Sequence, residues 1–304
     1  MRFTTATAGL ALILALAGML PPASSLRAAA PSDKIPAKEL FGKVKTPAPL
    51  SARSIGFYAK GCLAGAAMLP VNGPAWQAMR LSRNRLWGHP KLISLIERLA
   101  TEARAQDNWN GLLVGDLSQP RGGPMLTGHA SHQIGLDADI WLTPMPVRVL
   151  TPKEREEVEA TSVIQDRWRV NPKVWTEGHA RLIRRAASYP EVARIFVHPP
   201  IKKALCEWAK GDRSWLAKVR PYYGHTYHFH IRMRCPKDNP GCTNQPVPGP
   251  VDGTGCGQEL AHWLSDKPWA PPAKPPSKLP KPKPPRPLLL SNLPSDCRGI
   301  LNIQ

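Results

Sequence analysis

The stretch "TGHASHQIGLDADIWL", residues 127–142, joins a polar turn to an apolar strand. The turn "QIGL" contains a glycine and separates His132 from Asp139, after which "DIWL" continues as a predicted strand. An acid at the start of such a strand needs a partner when it is buried, and a metal ion is a suitable one. Asp137 instead fits a turn acid that hydrogen-bonds to the backbone.

A second polar segment, "GHTYHFHIRMRC" (residues 224–235), alternates in polarity as a strand does. Because side chains at i and i+2 of a strand point the same way, His228 and His230 share one face and can both reach a small cavity. One imidazole can bind a metal ion while the other contacts bound water or substrate. His225 precedes the strand, so its direction does not follow from this periodicity.

Two imidazoles and one carboxylate, from His132, Asp139 and His230, form a standard catalytic zinc set that leaves a fourth position for water. Zinc lowers the pKa of that water to about 7, which makes hydroxide available near neutral pH. The alternative is that these histidines only cap strand ends or lie at the surface. The other histidines without partners nearby in the sequence are interpreted as structural: His89, His179, His198 and His262.

Several hydrolase and nucleotide-binding motifs are absent from the sequence. There is no H-E-x-x-H, which excludes a zinc site borne on that helical motif. No S-x-x-K supplies the nucleophile of the penicillin-binding proteins, and there is no G-x-S-x-G elbow and no phosphate loop. The missing serine motifs disfavour the acyl-enzyme chemistry of the penicillin-binding proteins.

Residues 1–30 have the layout of a secretory signal peptide. Arg2 is followed by an apolar run that ends at Pro21 and Pro22, and small residues then lead to Ala30. The rival interpretation, a membrane-spanning helix, needs a longer run, and no other apolar run in the sequence is long enough to span a bilayer. We therefore expect an exported, periplasmic protein without a transmembrane segment.

The chain is strongly basic, with 41 Lys and Arg residues against 22 Asp and Glu residues and a formal net charge of +19. Nucleic acid is a common partner for such a surface, but an exported protein meets little of it, so we expect no nucleic-acid partner. A polyanionic wall polymer or an anionic membrane surface suits this charge better. The alternative is a solvated basic surface without a specific partner.

All six cysteines follow the predicted signal peptide, and none forms a C-x-x-C pair. In an oxidising compartment an even number predicts three disulfides, for which the sequence leaves fifteen connectivities open. Cys235 and Cys242 flank a short turn that contains proline and glycine, and they are the most secure local pair. Each bridge is expected to contribute about 2–4 kcal/mol.

Helices and strands alternate irregularly, which predicts a single α+β domain over residues 53–265, with helices around a small antiparallel sheet that carries a zinc site. Apolar residues at helical spacing predict a helix over residues 90–105. Residues 31–52 are expected to be a flexible lead-in. The C-terminal tail, residues 266–304, is Pro/Lys-rich, and its segment 266–290 is expected to be extended polyproline II that serves as a linker or is attracted to the wall. If Cys297 forms a disulfide with a cysteine of the domain, the tail is held against the domain surface.

The segments "TGHASHQIGLDADI" and "YHFH" resemble the motifs of the penicillin-insensitive murein endopeptidases, a family of the lysostaphin, D-Ala-D-Ala metallopeptidase and hedgehog superfamily. Similar segments include "VGDLSQPRGGP" and "RIFVHPPIKKALC", and the resemblance extends from about Ser54 to Trp263. It implies hydrolysis of the D-alanyl–meso-diaminopimelyl cross-bridge of peptidoglycan. The alternatives are a zinc D-Ala-D-Ala carboxypeptidase of the same superfamily and a non-catalytic peptidoglycan-binding protein.

The resemblance also implies roles for individual residues. His132, Asp139 and His230 would bind Zn²⁺, His228 would be the catalytic histidine, and His225 would line the cleft beside it. His129 would line the cleft or bind a second metal ion. The D-x-x-H motif that would complete a second site is missing, because Asp166 is followed by Arg169. The implied disulfides are Cys62–Cys297, Cys206–Cys256 and Cys235–Cys242.

Overall fold

The computed structural model describes residues 1, 34–246, 249–270 and 286–303. The predicted signal peptide, residues 1–30, lies outside the described residues except for Met1, as does the central part of the predicted tail, residues 271–285. The described residues from Lys34 to Ile303 form one compact unit. Among the described residues, no helix has both the length and the apolar character needed to cross a bilayer.

Seven α-helices lie in the described part of the chain: α1 (Ala37–Gly42), α2 (Pro90–Gln106), α3 (Pro152–Glu157), α4 (Glu177–Ser188), α5 (Pro199–Trp208), α6 (Gln258–Leu264) and α7 (Asp296–Asn302). Proline occupies the first turn of α2, α3 and α5, where its missing N–H costs no hydrogen bond. The predicted helix over residues 90–105 is confirmed as α2.

The strands of the described residues are β1 (Arg53–Phe57), β2 (Lys60–Ala64), β3 (Ala67–Met68), β4 (Asn72–Gly73), β5 (Trp76–Ala78), β6 (Trp87–Gly88), β7 (Leu112–Val114), β8 (Asp137–Trp141), β9 (Ile164–Asp166), β10 (Arg169–Val170), β11 (Val192–Val197), β12 (Val219–Pro221) and β13 (His228–Met233). Seven of them form the main sheet, in the order β12-β11-β13-β8-β7-β5-β4. The others pair as the two-stranded sheets β1-β2, β3-β6 and β9-β10.

The predicted α+β class is confirmed, but the main sheet is mixed and not antiparallel throughout. β8, β13 and β11 pair antiparallel at its centre, whereas β11 with β12 and β5 with β7 are parallel pairs. A parallel pair needs a crossover connection. The chain makes these crossovers through α5, between β11 and β12, and through α2, between β5 and β7. The predicted site strands therefore lie at the centre of the sheet.

The main hydrophobic core lies between one face of this sheet and the helices that cover it. The buried residues of α2 recur at the helical spacing read from the sequence and include Leu92, Leu95, Ile96 and Leu99. The sheet contributes the alternate residues of β8 and β13: Ala138, Ile140, Phe229 and Ile231. Since these apolar side chains occupy the core face, the polar residues between them lie on the opposite face.

A second, smaller core joins the two ends of the described chain. α1 and α7 pack with the β1–β2 hairpin around Phe41 and Cys297. The buried Arg121 guanidinium donates to backbone carbonyls at the C-terminal end of α7: Ile300, Leu301 and Ile303. The expected flexible lead-in over residues 31–52 is therefore wrong where α1 and Ala48 are buried. Residues 286–303 of the predicted tail contribute to the same core.

The three disulfides are Cys62–Cys297, Cys206–Cys256 and Cys235–Cys242, which confirms the pairing implied by the resemblance. Cys62–Cys297 links β2 to α7 across a sequence separation of 235 residues. Cys235–Cys242 spans a separation of 7 residues just after β13. The long bridge therefore holds the second core together, and the short one fixes the end of a site strand.

Replacing both Cys62 and Cys297 with alanine is expected to lower the free energy of unfolding by about 2–5 kcal/mol, because this bridge restricts the unfolded chain over a long separation. The matched control replaces Cys235 and Cys242, which close a much shorter loop and should contribute less. Urea titrations of the oxidised variants measure both values. A loss in the control that equals or exceeds the loss in the first variant would contradict this ranking.

Candidate active site

The pairing of β8 with β13 gathers the polar residues predicted from the sequence. Residues directly opposite each other in an antiparallel pair point to the same face of the sheet. The register sets Asp137 opposite Arg232, Asp139 opposite His230 and Trp141 opposite His228. These six side chains therefore lie on one face, opposite the hydrophobic core, as the period-2 argument predicted for His228 and His230.

His132 lies in the loop before β8 and is completely buried. Its backbone is left-handed, with φ at 65°, which is uncommon for a residue other than glycine. The His132 N–H donates to Asp137 Oδ2 at 2.9 Å, and the His132 ring bonds through Nδ1 to the carbonyl of Leu117 at 2.5 Å. Because a carbonyl only accepts, the proton lies on Nδ1 and the lone pair on Nε2 is free.

Two imidazole nitrogens lie close to the Asp139 carboxylate. His132 Nε2 lies 3.5 Å and His230 Nδ1 lies 3.3 Å from Asp139 Oδ1. Within the described residues, neither His132 Nε2 nor Asp139 Oδ1 has a hydrogen-bond partner, although both atoms are buried. Burying a polar atom without a partner raises the free energy of the folded state. These two atoms are therefore suited to bind a metal ion directly. Two imidazole nitrogens and one carboxylate oxygen suit zinc.

Asp137 contacts two of the three candidate ligands, His132 and His230. Its carboxylate is fully buried and accepts from the His132 backbone, from His230 Nε2 at 2.9 Å and from Arg232 Nε at 2.8 Å. Burial alone would raise the pKa of Asp137, but Arg232 and His230 hold it well below its usual range. The ionised carboxylate keeps the His230 proton on Nε2, which leaves Nδ1 free to bind a metal ion.

His129 is the other candidate ligand. Donor atoms of His129, His132 and Asp139 lie within 4.8 Å of one another. However, His129 Nε2 bonds to Asp116 Oδ2 at 3.0 Å and lies 3.5 Å from Asp139 Oδ2. Since a carboxylate only accepts, Nε2 carries the proton in this contact and has no lone pair for a metal ion. This tautomer favours His230 over His129 as the third ligand.

Asp116 was not identified from the sequence, although it follows β7 and faces the site. It accepts from Arg83 at 3.1 Å and from Arg85 at 2.9 Å in addition to His129. Burial would raise the pKa of Asp116, but His129 and the two guanidinium groups lower it to about 2. Asp116 is therefore an ionised anchor for the His129 ring. The sequence does show an acid near the end of the predicted strand "GLLVGDL", but the pairing of that strand with β8 is seen only in the structure.

His228 and His225 lie beside the ligand set. His228 Nε2 is 3.7 Å from Asp139 Oδ1, and His228 Nδ1 is buried without a hydrogen-bond partner among the described residues. The half-buried His225 bonds through Nδ1 to the carbonyl of Tyr223, and its ring centroid lies 5.0 Å from that of His228. Burial is the main cause that lowers the pKa of His225 to about 3, so this ring is neutral near pH 7.

The remaining sequence predictions concern residues away from this cluster. His89 caps the start of α2 by accepting from the Lys91 N–H at 3.2 Å. His179 bonds to the carbonyl of Leu142 at 2.8 Å. Asp166 pairs with Arg169 at 2.8 Å, so an intramolecular cation contacts the acid of the incomplete D-x-x-H motif.

Two recesses flank the ligand set, and His129 lines both. The polar recess has a volume of about 310 Å³, and its charged side chains include Arg83 and Glu159. The aromatic recess has a volume of about 350 Å³, and Phe196 and Tyr222 form part of its wall. A chain bound across both recesses would therefore contact Arg83 and Glu159 in the polar recess, and Phe196, Tyr222 and Arg232 in the aromatic recess.

Comparison with known proteins matches this chain to one family. The sequence profile described as penicillin-insensitive murein endopeptidase matches residues 54–302. A penicillin-insensitive murein endopeptidase of Haemophilus influenzae is 45% identical over 266 residues, which cover 86% of this chain and 87% of that protein. The protein of the same name from Salmonella newport is 41% identical over 260 residues, with 86% and 90% covered. The chain therefore belongs to the penicillin-insensitive murein endopeptidase family.

Proposed function

We propose that this protein is a zinc-dependent endopeptidase that hydrolyses the D-alanyl–meso-diaminopimelyl cross-bridge of murein in the periplasm. The observation that carries the proposal is the pair of buried ligand atoms His132 Nε2 and Asp139 Oδ1, which have no hydrogen-bond partner among the described residues and lie beside His230 Nδ1. The family membership supports murein as the substrate, since relatives that match over most of the chain are named murein endopeptidases.

The ligand set suits hydrolysis. Zinc held by His132, Asp139 and His230 supplies Lewis acidity and lowers the pKa of a bound water to about 7. Asp137 holds the His230 ring in the tautomer that can bind the ion. His228 lies on the same face of β13 as His230 and lines the polar recess. The His228 imidazole can take up a proton or donate one to the carbonyl oxygen of the bond being cleaved.

The two recesses favour cleavage within a chain. An endopeptidase must accept substrate on both sides of the scissile bond, and two recesses adjoin the proposed ligands, one at Asp139 and the other at His230. A carboxypeptidase is the second candidate because Arg83 in the polar recess could pair with a terminal carboxylate. A purely structural zinc site is disfavoured, since structural sites normally use four protein ligands.

The disulfides and the charge support the proposed compartment. Three disulfides are typical of an oxidising environment such as the periplasm. The net charge of +19 suits association with an anionic wall polymer. With no S-x-x-K serine to acylate, a β-lactam has no covalent target at this site.

Purified protein with zinc is expected to convert cross-linked muropeptide dimers into monomers, and a chelator should abolish this conversion. Mass spectrometry of the products measures it. Release of free D-alanine without monomers would select the carboxypeptidase instead. Dimers that persist in the presence of zinc would refute the endopeptidase proposal, and cleavage that survives chelation would refute the role of the metal.

Alanine at His132, Asp139 or His230 is expected to remove bound zinc, because each change deletes one of three ligands. His129→Ala should retain the ion, since its Nε2 is occupied by Asp116. His228→Ala should also retain zinc but lose roughly 10²–10⁴-fold in kcat. Metal analysis of the purified variants, followed by dimer cleavage assays, separates these groups. Loss of zinc from His129→Ala with retention in His230→Ala would reverse the assignment of the third ligand.

Asp137→Asn is expected to weaken zinc binding by about 10–100-fold, because the neutral amide no longer holds the His230 ring as an anion does. The matched control is Asp116→Asn, which removes a buried carboxylate that contacts His129 but none of the three proposed ligands. Competition with a fluorescent chelator measures both affinities, and circular dichroism checks the fold. Equal losses in the two variants would argue against a specific role for Asp137.

A further inference from the structure

A group of aromatic side chains extends from the aromatic recess across the adjoining surface. It comprises Tyr222 and Tyr223, which follow β12, Trp263 at the end of α6, and Trp269. We call these four residues the aromatic platform. Tyr222 belongs to both the recess and the platform, so the platform continues the cleft that contains the proposed ligands.

The rings of the platform form a spatial series of neighbours that begins beside His225. The Tyr222 ring centroid is 6.1 Å from that of His225 and 6.0 Å from that of Trp263. Tyr223 lies 4.9 Å from Trp263 and 5.0 Å from Trp269. Each ring is therefore in contact with the next, which makes one continuous surface and not four isolated side chains.

The two tyrosines of the platform are exposed, its two tryptophans are half-buried, and contacts hold the rings in place. Tyr222 is 52% exposed and Tyr223 is 40% exposed. The rings pack mainly edge to face, the Tyr223 hydroxyl donates to the carbonyl of Pro268, and Trp269 Nε1 donates to the carbonyl of Trp263 at 2.9 Å. Aromatic side chains that are held rigidly but left open to solvent lose little conformational entropy on binding. Contiguous exposed apolar surface of this kind marks an interaction site.

We propose that the aromatic platform binds sugar residues of the glycan strand that carries the peptide being cleaved. This inference rests on the proposed function, because it takes murein as the substrate. A sugar ring presents a face of C–H groups that carry a slight positive charge, which complements the negative face of an aromatic ring. Murein peptides are attached to sugars, so a peptide in the cleft brings its own glycan strand close to the protein.

The two ends of the cleft differ in the chemistry that they suit. The polar recess presents the charged groups of Arg83 and Glu159, which match the carboxylates and amines of peptide stems. The aromatic recess presents the rings of Phe196 and Tyr222 together with Arg232. It continues outward through the ring contacts of Tyr222 with Trp263 and of Trp263 with Tyr223. The geometry therefore orients the substrate, with a glycan-bearing arm leaving over Tyr222 and Tyr223.

The test compares two substrates that share one scissile bond: a cross-linked dimer with its disaccharides, and the same peptide dimer after an amidase has removed the sugars. Wild-type kcat/KM is expected to be about tenfold higher for the first, from one or two ring contacts. Tyr223→Leu should bring the ratio close to one and leave kcat/KM for the sugar-free dimer unchanged. Tyr223→Phe is the matched control, because it keeps the ring and loses only the hydroxyl contact with Pro268.

Direct binding supplies a readout that does not depend on zinc or turnover. Peptide-free glycan strands should quench the tryptophan fluorescence of the wild type and of Tyr223→Phe, and Tyr223→Leu should bind them more weakly. Equal kcat/KM for the two wild-type dimers, or strands that do not bind, would overturn the platform while leaving the proposed function intact. Self-association that Tyr223→Leu abolishes would instead assign this face to a second copy of the chain. If neither dimer is cleaved, the proposed function fails, and strand binding alone decides on the platform.

Discussion

The buried carboxylate of Asp137 is the interaction on which the candidate site depends. The two carboxylate oxygens of Asp137 accept hydrogen bonds from the backbone of His132, the ring of His230 and the guanidinium of Arg232. Asp137 thereby joins a loop to the two central strands of the sheet. A buried charge persists only when it is paired, and Arg232 supplies the pairing from the register-matched position on β13. The loop and the strand must both be in place before the three proposed ligands can converge.

Arg232 in turn connects the site to its aromatic surroundings. Its guanidinium lies 4.3 Å from the ring centre of Tyr58 and 5.1 Å from that of Phe196. Such contacts suit arginine, because the planar guanidinium can stack and hydrogen-bond at once. The same ring of Phe196 lies 5.3 Å from His230. The proposed ligand His230, the supporting acid Asp137, Arg232 and Phe196 in the wall of the aromatic recess are therefore in contact as one packed unit.

The sequence revealed those features that depend on local periodicity, and it failed where tertiary contacts decide. The alternation of β13 placed His228 and His230 on one face correctly. The same alternation relates Asp137 to Asp139 and Arg232 to His230. The sequence indicates only a turn acid at Asp137, which the bond from the His132 N–H bears out, but it does not reveal the bonds to His230 and Arg232. Asp116 comes from a different strand. Residues 31–52 looked flexible because the partners that bury α1 lie in α7, at the far end of the chain.

The bridge between Cys62 and Cys297 imposes an order on assembly. The hairpin that carries Cys62 is made early, but the partner cysteine and α7 follow only 235 residues later. Arg121 likewise finds its acceptors only in the carbonyls at the end of α7. The second core therefore cannot form completely until α7 has been synthesised. A polypeptide that ends before Cys297 lacks the disulfide and the helix that hold α1 and the β1–β2 hairpin in place. Such a truncated chain is therefore exposed to proteolysis.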